Sequence, residues 1–202
     1  AFTCSQRRRA CRVKDARISV ARHGVAETTE TSAGIQNETS LPPLRYFGDA
    51  KLMRPQAAVD SVDITSAAVQ GQLQMLGQAM TAYGGIGIAA PQVGWWVQAM
   101  CFGRKATDPL VLSGKKQVPT GLHFQFWINP RIASVSEETN WFWEGCLSVP
   151  GMLGWVERPQ NVTLTGLDEL GKPREVQLSG LAARVAQHEL DHLNGVLFPQ
   201  RV

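Results

Sequence analysis

Two histidines near the end of the sequence constrain what this chain can fold into more than any other feature. The segment QHELDHL places His188 and His192 four residues apart, with Glu189 directly after the first. The apolar residues around it recur at helical spacing and predict a helix over residues 181–193, ended by the Asn-Gly pair that follows. Four residues of helix bring both imidazoles onto one face, about 6 Å apart along the axis, where they can bind one metal ion.

Glu189 adds a chemical function to this pair. A carboxylate beside a metal ion can take a proton from a water molecule whose pKa the ion has lowered, which is the basis of metal-dependent hydrolysis. In a chain of average composition the three residues fall at this spacing by chance in well under about one sequence in a hundred. The segment therefore predicts a hydrolytic metal site.

A catalytic metal site needs a third protein ligand, and the sequence places it upstream. The residues after His192, LNGVLFPQRV, include no His, Cys, Asp or Glu, so the downstream ligands of thermolysin-like proteases and metzincins are not available here. Cys146 is the favoured candidate because WEGCLSVP places it between a predicted strand and a Gly/Pro turn. Cys101, in the apolar run WWVQAMCF, is more typical of a buried core thiol. An acidic residue is the remaining alternative.

The small-residue segment GIGIAAPQ, residues 85–92, is a second candidate for the site. It lacks the final glycine of a dinucleotide-binding fingerprint, and no Gly-Lys-Ser/Thr follows for a phosphate loop. Its small residues let a substrate backbone approach closely. Gln92 at its end offers a neutral amide donor that is suited to a developing oxyanion.

The order of predicted elements indicates the fold class. Apolar residues at helical spacing predict a first helix over residues 66–80. Short β-rich segments follow, namely WWVQAMCF, FQFWINP, WFWEGCLSV, NVTLTGL and REVQLSG, and residues 104–122 have the composition of an exposed loop. Because no helices alternate with these strands, we expect an α+β fold, with mostly antiparallel strands packed around the C-terminal helix.

Residues 1–42 are predicted to be a tail outside the folded domain of residues 43–202. The Arg-rich start with few acids is typical of an organelle transit peptide, and a secretory signal would need an apolar core that is absent. We expect a mitochondrial location, with a plastid or a plain solvated extension as alternatives. The net charge of +3 comes largely from this tail, so no nucleic-acid binding is expected, and no apolar run has the length of a membrane span.

Together, the segments GIGIAAPQ, EGCLS and QHELDH resemble, in order and spacing, the three signature motifs of the peptide deformylase family. The resemblance extends over about residues 44–200, and GLAARVAQHELDHLNGVLF is more similar to organellar members. It implies one divalent metal ion bound by Cys146, His188 and His192, with Glu189 as general base and then general acid. Fe²⁺ is the expected native metal, with Zn²⁺, Ni²⁺ or Co²⁺ as substitutes.

The same resemblance assigns the substrate side of the site. The Gln92 side chain and the backbone N–H of Leu147 would stabilise the oxyanion. The substrate would be a nascent formylated polypeptide at an organellar ribosome, bound as an added strand between residues 85–88 and the segment just after Cys146. The residues assigned to substrate binding are Gly85, Ile86, Gly87, Phe142, Glu144, Gly145 and Val185.

Two other functions compete with an active deformylase. One is a metallopeptidase or amidase that uses the same helix on another substrate, and the other is an inactive binding module. Leu153 stands where many bacterial members of the family carry an Arg that helps to position substrate, whereas Arg158 matches the family. Glu189 and Gln92 argue for activity because neither is needed to hold a structural ion, which would also need a fourth protein ligand.

Overall fold

The computed structural model describes residues 41–105 and 122–202. The predicted tail of residues 1–42 therefore lies almost wholly outside the described residues, as does most of the predicted loop of residues 104–122. The described residues form a five-stranded antiparallel sheet, a separate two-stranded hairpin and two α-helices. None of the described helices has the length and apolar character needed to cross a bilayer.

Helix α1 (Ala67–Ala82) forms where the apolar spacing predicted a helix. The Ser66 side chain caps its N-terminus by accepting a hydrogen bond from the Val69 N–H. The helix ends at Tyr83, and Gly84 follows with a φ of +74°, a left-handed conformation that favours glycine. The buried face of α1 consists of Leu73, Leu76, Gly77, Ala79 and Met80.

Seven strands carry the rest of the fold up to the last helix. They are β1 (Gly87–Ala89), β2 (Ala99–Phe102), β3 (Gln125–Val135), β4 (Thr139–Cys146), β5 (Val149–Pro159), β6 (Asn161–Leu167) and β7 (Pro173–Ser179). The large sheet has the order β1-β2-β3-β6-β7, and every neighbouring pair in it is antiparallel. β4 and β5 form the hairpin, which turns at Leu147 and Ser148. The predicted α+β class with mostly antiparallel strands is confirmed.

The last helix, α2 (Gly180–Leu193), also forms where it was predicted. It ends at Asn194, and Gly195 follows with a φ of +75°. One-turn 3₁₀ helices lie at Ala90–Val93 and at Phe198–Gln200.

The apolar core around the large sheet consists of two clusters, and successive side chains of β2 belong to one and then the other. Met100 and Phe102 pack in the cluster that includes the apolar face of α2, whereas Ala99 and Cys101 pack in the cluster that includes α1. Successive side chains of a strand point to opposite faces, so the two helices contact opposite faces of the large sheet. Each helix therefore gains a packed apolar surface, and α2 is held against β1 and β2.

Two strand predictions were inaccurate. The segment WWVQAMCF contributes a strand only over Ala99–Phe102, so Trp95 and Trp96 precede it. Beyond Val149, the strand Val149–Pro159 was not predicted, because Pro and Gly interrupt its apolar pattern and are normally read as turn residues. Pairing with β4 overrides that local preference.

Candidate active site

Three side chains from two distant parts of the chain converge into one group. His188 and His192 lie four residues apart on α2, and Cys146 is the last residue of β4. Their candidate ligand atoms all lie within 4.8 Å of one another, and the Cys146 Sγ is 3.2 Å from the His192 Nε2. Among the described residues this is the group of His, Cys, Asp and Glu side chains that could hold a metal ion.

The donor set fits a divalent transition metal. Bonds of about 2.0–2.3 Å from one ion to imidazole nitrogen and thiolate sulfur bring tetrahedral ligand atoms to within a few ångströms of each other, as they are here. A thiolate with two imidazoles suits the iron, cobalt, nickel and zinc group better than it suits magnesium or calcium, which prefer oxygen ligands. The geometry thus supports the predicted ligand set without deciding which metal is bound.

Glu144 fixes the orientation of one of these ligands. Its carboxylate accepts hydrogen bonds from the Arg158 side chain at 2.7 and 2.9 Å and from Arg184 at 2.7 Å, and it lies 2.9 Å from the Nδ1 of His188. Arg158 also donates to Asp191 at 2.9 Å. A carboxylate on the far nitrogen of a metal-binding histidine sets its tautomer and its ring direction.

This network determines the charge of the Glu144 carboxylate. Burial by itself would raise its pKa, but the hydrogen bonds and charges of Arg158 and His188 outweigh burial and hold the pKa well below its usual range. Glu144 was predicted to bind substrate. Although the residue lines the pocket, its carboxylate is occupied by protein partners and is 5% exposed, so the carboxylate is placed to position His188.

The two imidazoles differ electrostatically. Burial lowers the pKa of His188, but the Cys146 thiol and the Glu144 carboxylate outweigh it and raise that pKa to about 10. Burial, together with the neighbouring charge of His188, lowers the pKa of His192 well below its usual value. Because a metal binds the neutral imidazole, it would compete with the proton that this environment favours on His188.

Glu189 is a buried carboxylate with an unused acceptor. One of its oxygens, Oε2, has no hydrogen-bond partner among the described residues. Burial raises its pKa to about 7, which places the group near the pH at which a general base and acid works best. A Cβ at Gly87 would overlap this carboxylate and Val185, so the glycine in β1 is what allows the close approach.

A hydrogen bond to its side-chain amide holds Gln92 in one orientation. The Oε1 accepts a hydrogen bond from the Ala89 N–H at 2.8 Å, which directs the Nε2 towards the site. That Nε2 lies 3.1 Å from the Ser148 Oγ and 3.6 Å from the Cys146 Sγ. The side chain is 2% exposed, so a fixed, dry donor stands beside the candidate metal ligands, as an oxyanion site requires.

These groups line a pocket of about 530 Å³. Every residue predicted for the site lines it except His192, which is 1% exposed and lies beneath it. The pocket is bounded by the start of β1 on one side and by β4 with the hairpin turn on the other. Sequence reasoning did not single out several further lining residues, namely Gly84, Trp143, Val149, Gly151, Met152, Leu181 and Arg184.

The residues that were set aside lie elsewhere. Cys101 is fully buried in the α1 cluster, on the face of β2 away from α2, and burial raises the pKa of its thiol. Trp95 packs against that same cluster, while Trp96 lies under the charged groups of Arg45 and Lys51. Leu153 is 68% exposed on the hairpin.

The partners of Glu144 are functional neighbours that the sequence did not reveal. Arg158 was recognised only as a residue common in the family, and Arg184 and Asp191 were not considered. A weak signal existed for Arg184 and Asp191, because both lie in the predicted C-terminal helix. Charged side chains in such positions are rarely buried unless they are paired.

Comparison with known proteins identifies the family of this chain. The polypeptide deformylase family model matches residues 42–202. Peptide deformylase 1 of Nitrosomonas europaea is 36% identical over 162 residues, covering 80% of this chain and 88% of that protein. A peptide deformylase of Prochlorococcus marinus is 35% identical over 188 residues, covering 88% of this chain and 85% of its own length.

Solved structures show the same relationship. The class I type b peptide deformylase of Acinetobacter baumannii, with Met-Ala-Ser bound, superposes with a TM-score of 0.71 at 32% identity, covering 80% of this chain and 98% of that one. The Synechococcus elongatus peptide deformylase in complex with actinonin gives a TM-score of 0.68 at 36% identity. The match covers 81% of this chain and 80% of that one. Sequence and fold agree, and the chain belongs to the polypeptide deformylase family.

Proposed function

We propose that this chain hydrolyses the formyl group from the N-terminal methionine of nascent polypeptides and releases formate. The observation that carries the proposal is the position of Glu189. Its carboxylate is buried and lines the same pocket as Cys146 and His188, one of its oxygens has no hydrogen-bond partner among the described residues, and its pKa is raised to about 7. A purely structural metal site has no use for such a group.

Cys146, His188 and His192 would hold the metal. When bound, the ion supplies Lewis acidity and lowers the pKa of the attacking water. Glu189 accepts a proton from that water as the water oxygen adds to the formyl carbon. The same carboxyl then donates the proton to the methionine nitrogen as the C–N bond breaks.

Two donors would stabilise the negative charge that develops on the formyl oxygen. Gln92 Nε2 is fixed by the bond between its Oε1 and the Ala89 N–H, and Leu147 follows Cys146 in the hairpin turn. The Gln92 amide and the Leu147 backbone N–H would stabilise the oxyanion. Because Gln92 is already in place, little reorganisation is needed during the reaction.

The peptide backbone would bind between two strand edges. β1 is the outermost strand of the large sheet, and among the described strands β4 pairs only with β5. An extended peptide can therefore pair with residues 85–87 on one side and with the free edge of β4 on the other, which moves the second contact from the predicted segment just after Cys146 to the strand before it. Phe142, Leu181 and Val185 line the pocket on the α2 side and would surround the methionine side chain.

The proposed native metal is Fe²⁺, with Ni²⁺ or Co²⁺ as active substitutes and Zn²⁺ as a weaker one. The donor set supports a transition metal of this group. Metal analysis of protein purified without oxygen, compared with protein purified in air, tests the identity. We expect one iron per chain in the first preparation, and stoichiometric zinc in both would overturn the assignment.

The decisive experiment measures formate released from formyl-Met-Ala-Ser by protein loaded with Fe²⁺ or Ni²⁺. Glu189→Gln is the matched variant, because it keeps the side-chain volume and removes the acid and base. We expect metal-dependent turnover in the wild type and loss of at least about a hundredfold in the variant, with metal still bound. A loaded wild type that binds metal and releases no formate would refute the proposed function.

We further propose that residues 1–42 direct the protein to mitochondria, where it would act on polypeptides made by the organellar ribosome. The composition of this segment supports the idea, because it combines many Arg residues with few acids. A fluorescent protein fused after residues 1–42 should enter mitochondria. The same fusion with Arg7, Arg8 and Arg9 changed to Glu should remain in the cytosol, and entry into plastids or no import would reject the mitochondrial address.

A further inference from the structure

One face of the β4–β5 hairpin carries exposed aromatic side chains. Trp143 lies directly opposite Trp155, with ring centroids 5.1 Å apart and planes at 60°. Their side chains are 56% and 43% exposed. Leu153, at 68% exposure, leans over Gly145 on the same face. We call Trp143, Leu153 and Trp155 the outer hairpin face. Exposed apolar side chains that lie next to one another in this way often mark a binding site.

The outer hairpin face is continuous with the substrate pocket. Trp143 lines the pocket together with Gly145, which points to the same face of β4. The pocket also borders the edge of β4 that has no strand partner among the described residues. A peptide paired with this edge would therefore run directly alongside Trp143.

The pleat of such a peptide decides which of its side chains meets the tryptophan. Phe142 and Val185 line the side of the pocket that faces α2, which is where the methionine side chain would lie. Successive side chains of a strand point to opposite faces, so the next residue of the peptide points away from α2. On the β4 side, that opposite face is the one that carries Trp143.

We propose that Trp143, backed by Trp155, binds the side chain of the residue that follows the N-terminal methionine and selects apolar and aromatic residues there. This inference rests on the proposed deformylase function. The three residues of the outer hairpin face are apolar, and the charged residue on the same face of β5, Glu157, lies opposite Trp141 and accepts a hydrogen bond from Thr139. A polar side chain against Trp143 would therefore lose contact with water and gain no partner from these three residues, whereas an apolar side chain would bury apolar area.

The test compares substrates that differ only at the second residue. Formyl-Met-Phe-Ser, formyl-Met-Leu-Ser and formyl-Met-Asn-Ser form a suitable set, because Leu and Asn have similar shapes and differ in polarity. We expect kcat/KM to fall in the order Phe, Leu, Asn, with about a tenfold difference between Phe and Asn that lies mainly in KM.

Trp143→Ala should reduce this ratio to about twofold, and Trp143→Phe should keep an intermediate value. Trp141→Ala is the matched control. Trp141 lies two residues earlier on β4, is 50% exposed and does not line the pocket, so its removal should leave the Phe-to-Asn ratio unchanged. A ratio near one in the wild type, or an unchanged ratio in Trp143→Ala, overturns the proposal.

A binding measurement separates this proposal from the deformylase function itself. The affinities of the product peptides Met-Phe-Ser and Met-Asn-Ser can be measured by calorimetry with the metal-loaded protein. If no formylated substrate is turned over, the proposed function fails, yet tighter binding of Met-Phe-Ser that depends on Trp143 would still support the subsite. Equal affinities of the two peptides would overturn it.

Discussion

The Nδ1 atom of His188 lies 2.9 Å from the Glu144 carboxylate, although the two residues are 44 positions apart in the sequence. This contact links the hairpin strand β4 to the helix that carries both candidate histidine ligands. Glu144 was predicted to bind substrate, and this contact favours a positioning role instead, in which its carboxylate would hold a candidate metal ligand in place. The following predictions test this relationship and the packing around it.

Glu144→Gln should weaken metal binding by about 10- to 100-fold, because the neutral amide is a poorer acceptor for the His188 N–H. The dissociation constant can be measured by competition with a chromophoric chelator. Glu157→Gln is the control, since Glu157 is an exposed residue on the partner strand. Equal affinities of wild type and Glu144→Gln would contradict a positioning role for Glu144.

Arg158→Met should lower the free energy of unfolding by about 3 kcal/mol, because it removes one arginine partner from each of the buried Glu144 and Asp191 carboxylates and leaves them Arg184 and Arg201. Urea denaturation at neutral pH measures the change. Arg131→Met, at an exposed position of β3, should have little effect. A similar small effect for Arg158→Met would mean that the ion pairs contribute no stability.

Stability should fall in acid partly through Glu144. Its pKa lies below the usual value of 4.5 in the folded protein, so the folded state binds fewer protons than the unfolded state. The contribution is fully present above about pH 4.5 and is lost as the pH falls towards the folded pKa. Unfolding free energies measured between about pH 3 and pH 7 should show a steeper acid decline for wild type than for Glu144→Gln. Parallel declines would exclude Glu144 as a source.

Gly87→Ala should reduce deformylase activity by about a hundredfold, since the new Cβ would overlap the Glu189 carboxylate and displace it. Gly71→Ala is the control, because nothing lies within 4 Å of a Cβ at that position of α1. That variant should keep full activity and gain about 0.5–1 kcal/mol of stability from its better helix propensity. Full activity in Gly87→Ala would show that Glu189 has room to move.

The Cys101 thiol should resist alkylation in the folded protein. Burial raises its pKa, so little reactive thiolate forms even at about pH 8.5. Cys146, which lines the pocket, should react with iodoacetamide in metal-free protein under the same conditions. Peptide mass spectrometry distinguishes the two sites, and both should react in denaturant. Rapid labelling of Cys101 in the native state would place it outside the core.

Much of the site could be predicted from local sequence because its parts are local. The spacing of His188 and His192 is a property of one helix. Gln92 ends a segment of small residues, which can be recognised from the sequence alone. Cys146 was favoured for its position at a strand end, and the structure brings its sulfur to 3.2 Å from His192. The roles of these residues in binding metal and substrate remain predictions that the experiments above test.

The tertiary structure decided what depends on pairing between distant segments. The strand Val149–Pro159 forms in spite of its Gly and Pro residues because β4 supplies its hydrogen-bond partners. Glu144, Arg158 and Asp191 have no local pattern that joins them, and only folding brings their charges together in a place where each needs a partner. Cys101 and Cys146 are both single thiols in apolar surroundings. The alternation of side chains along β2 directs Cys101 into the cluster that includes α1. The hairpin places Cys146 beside the histidines.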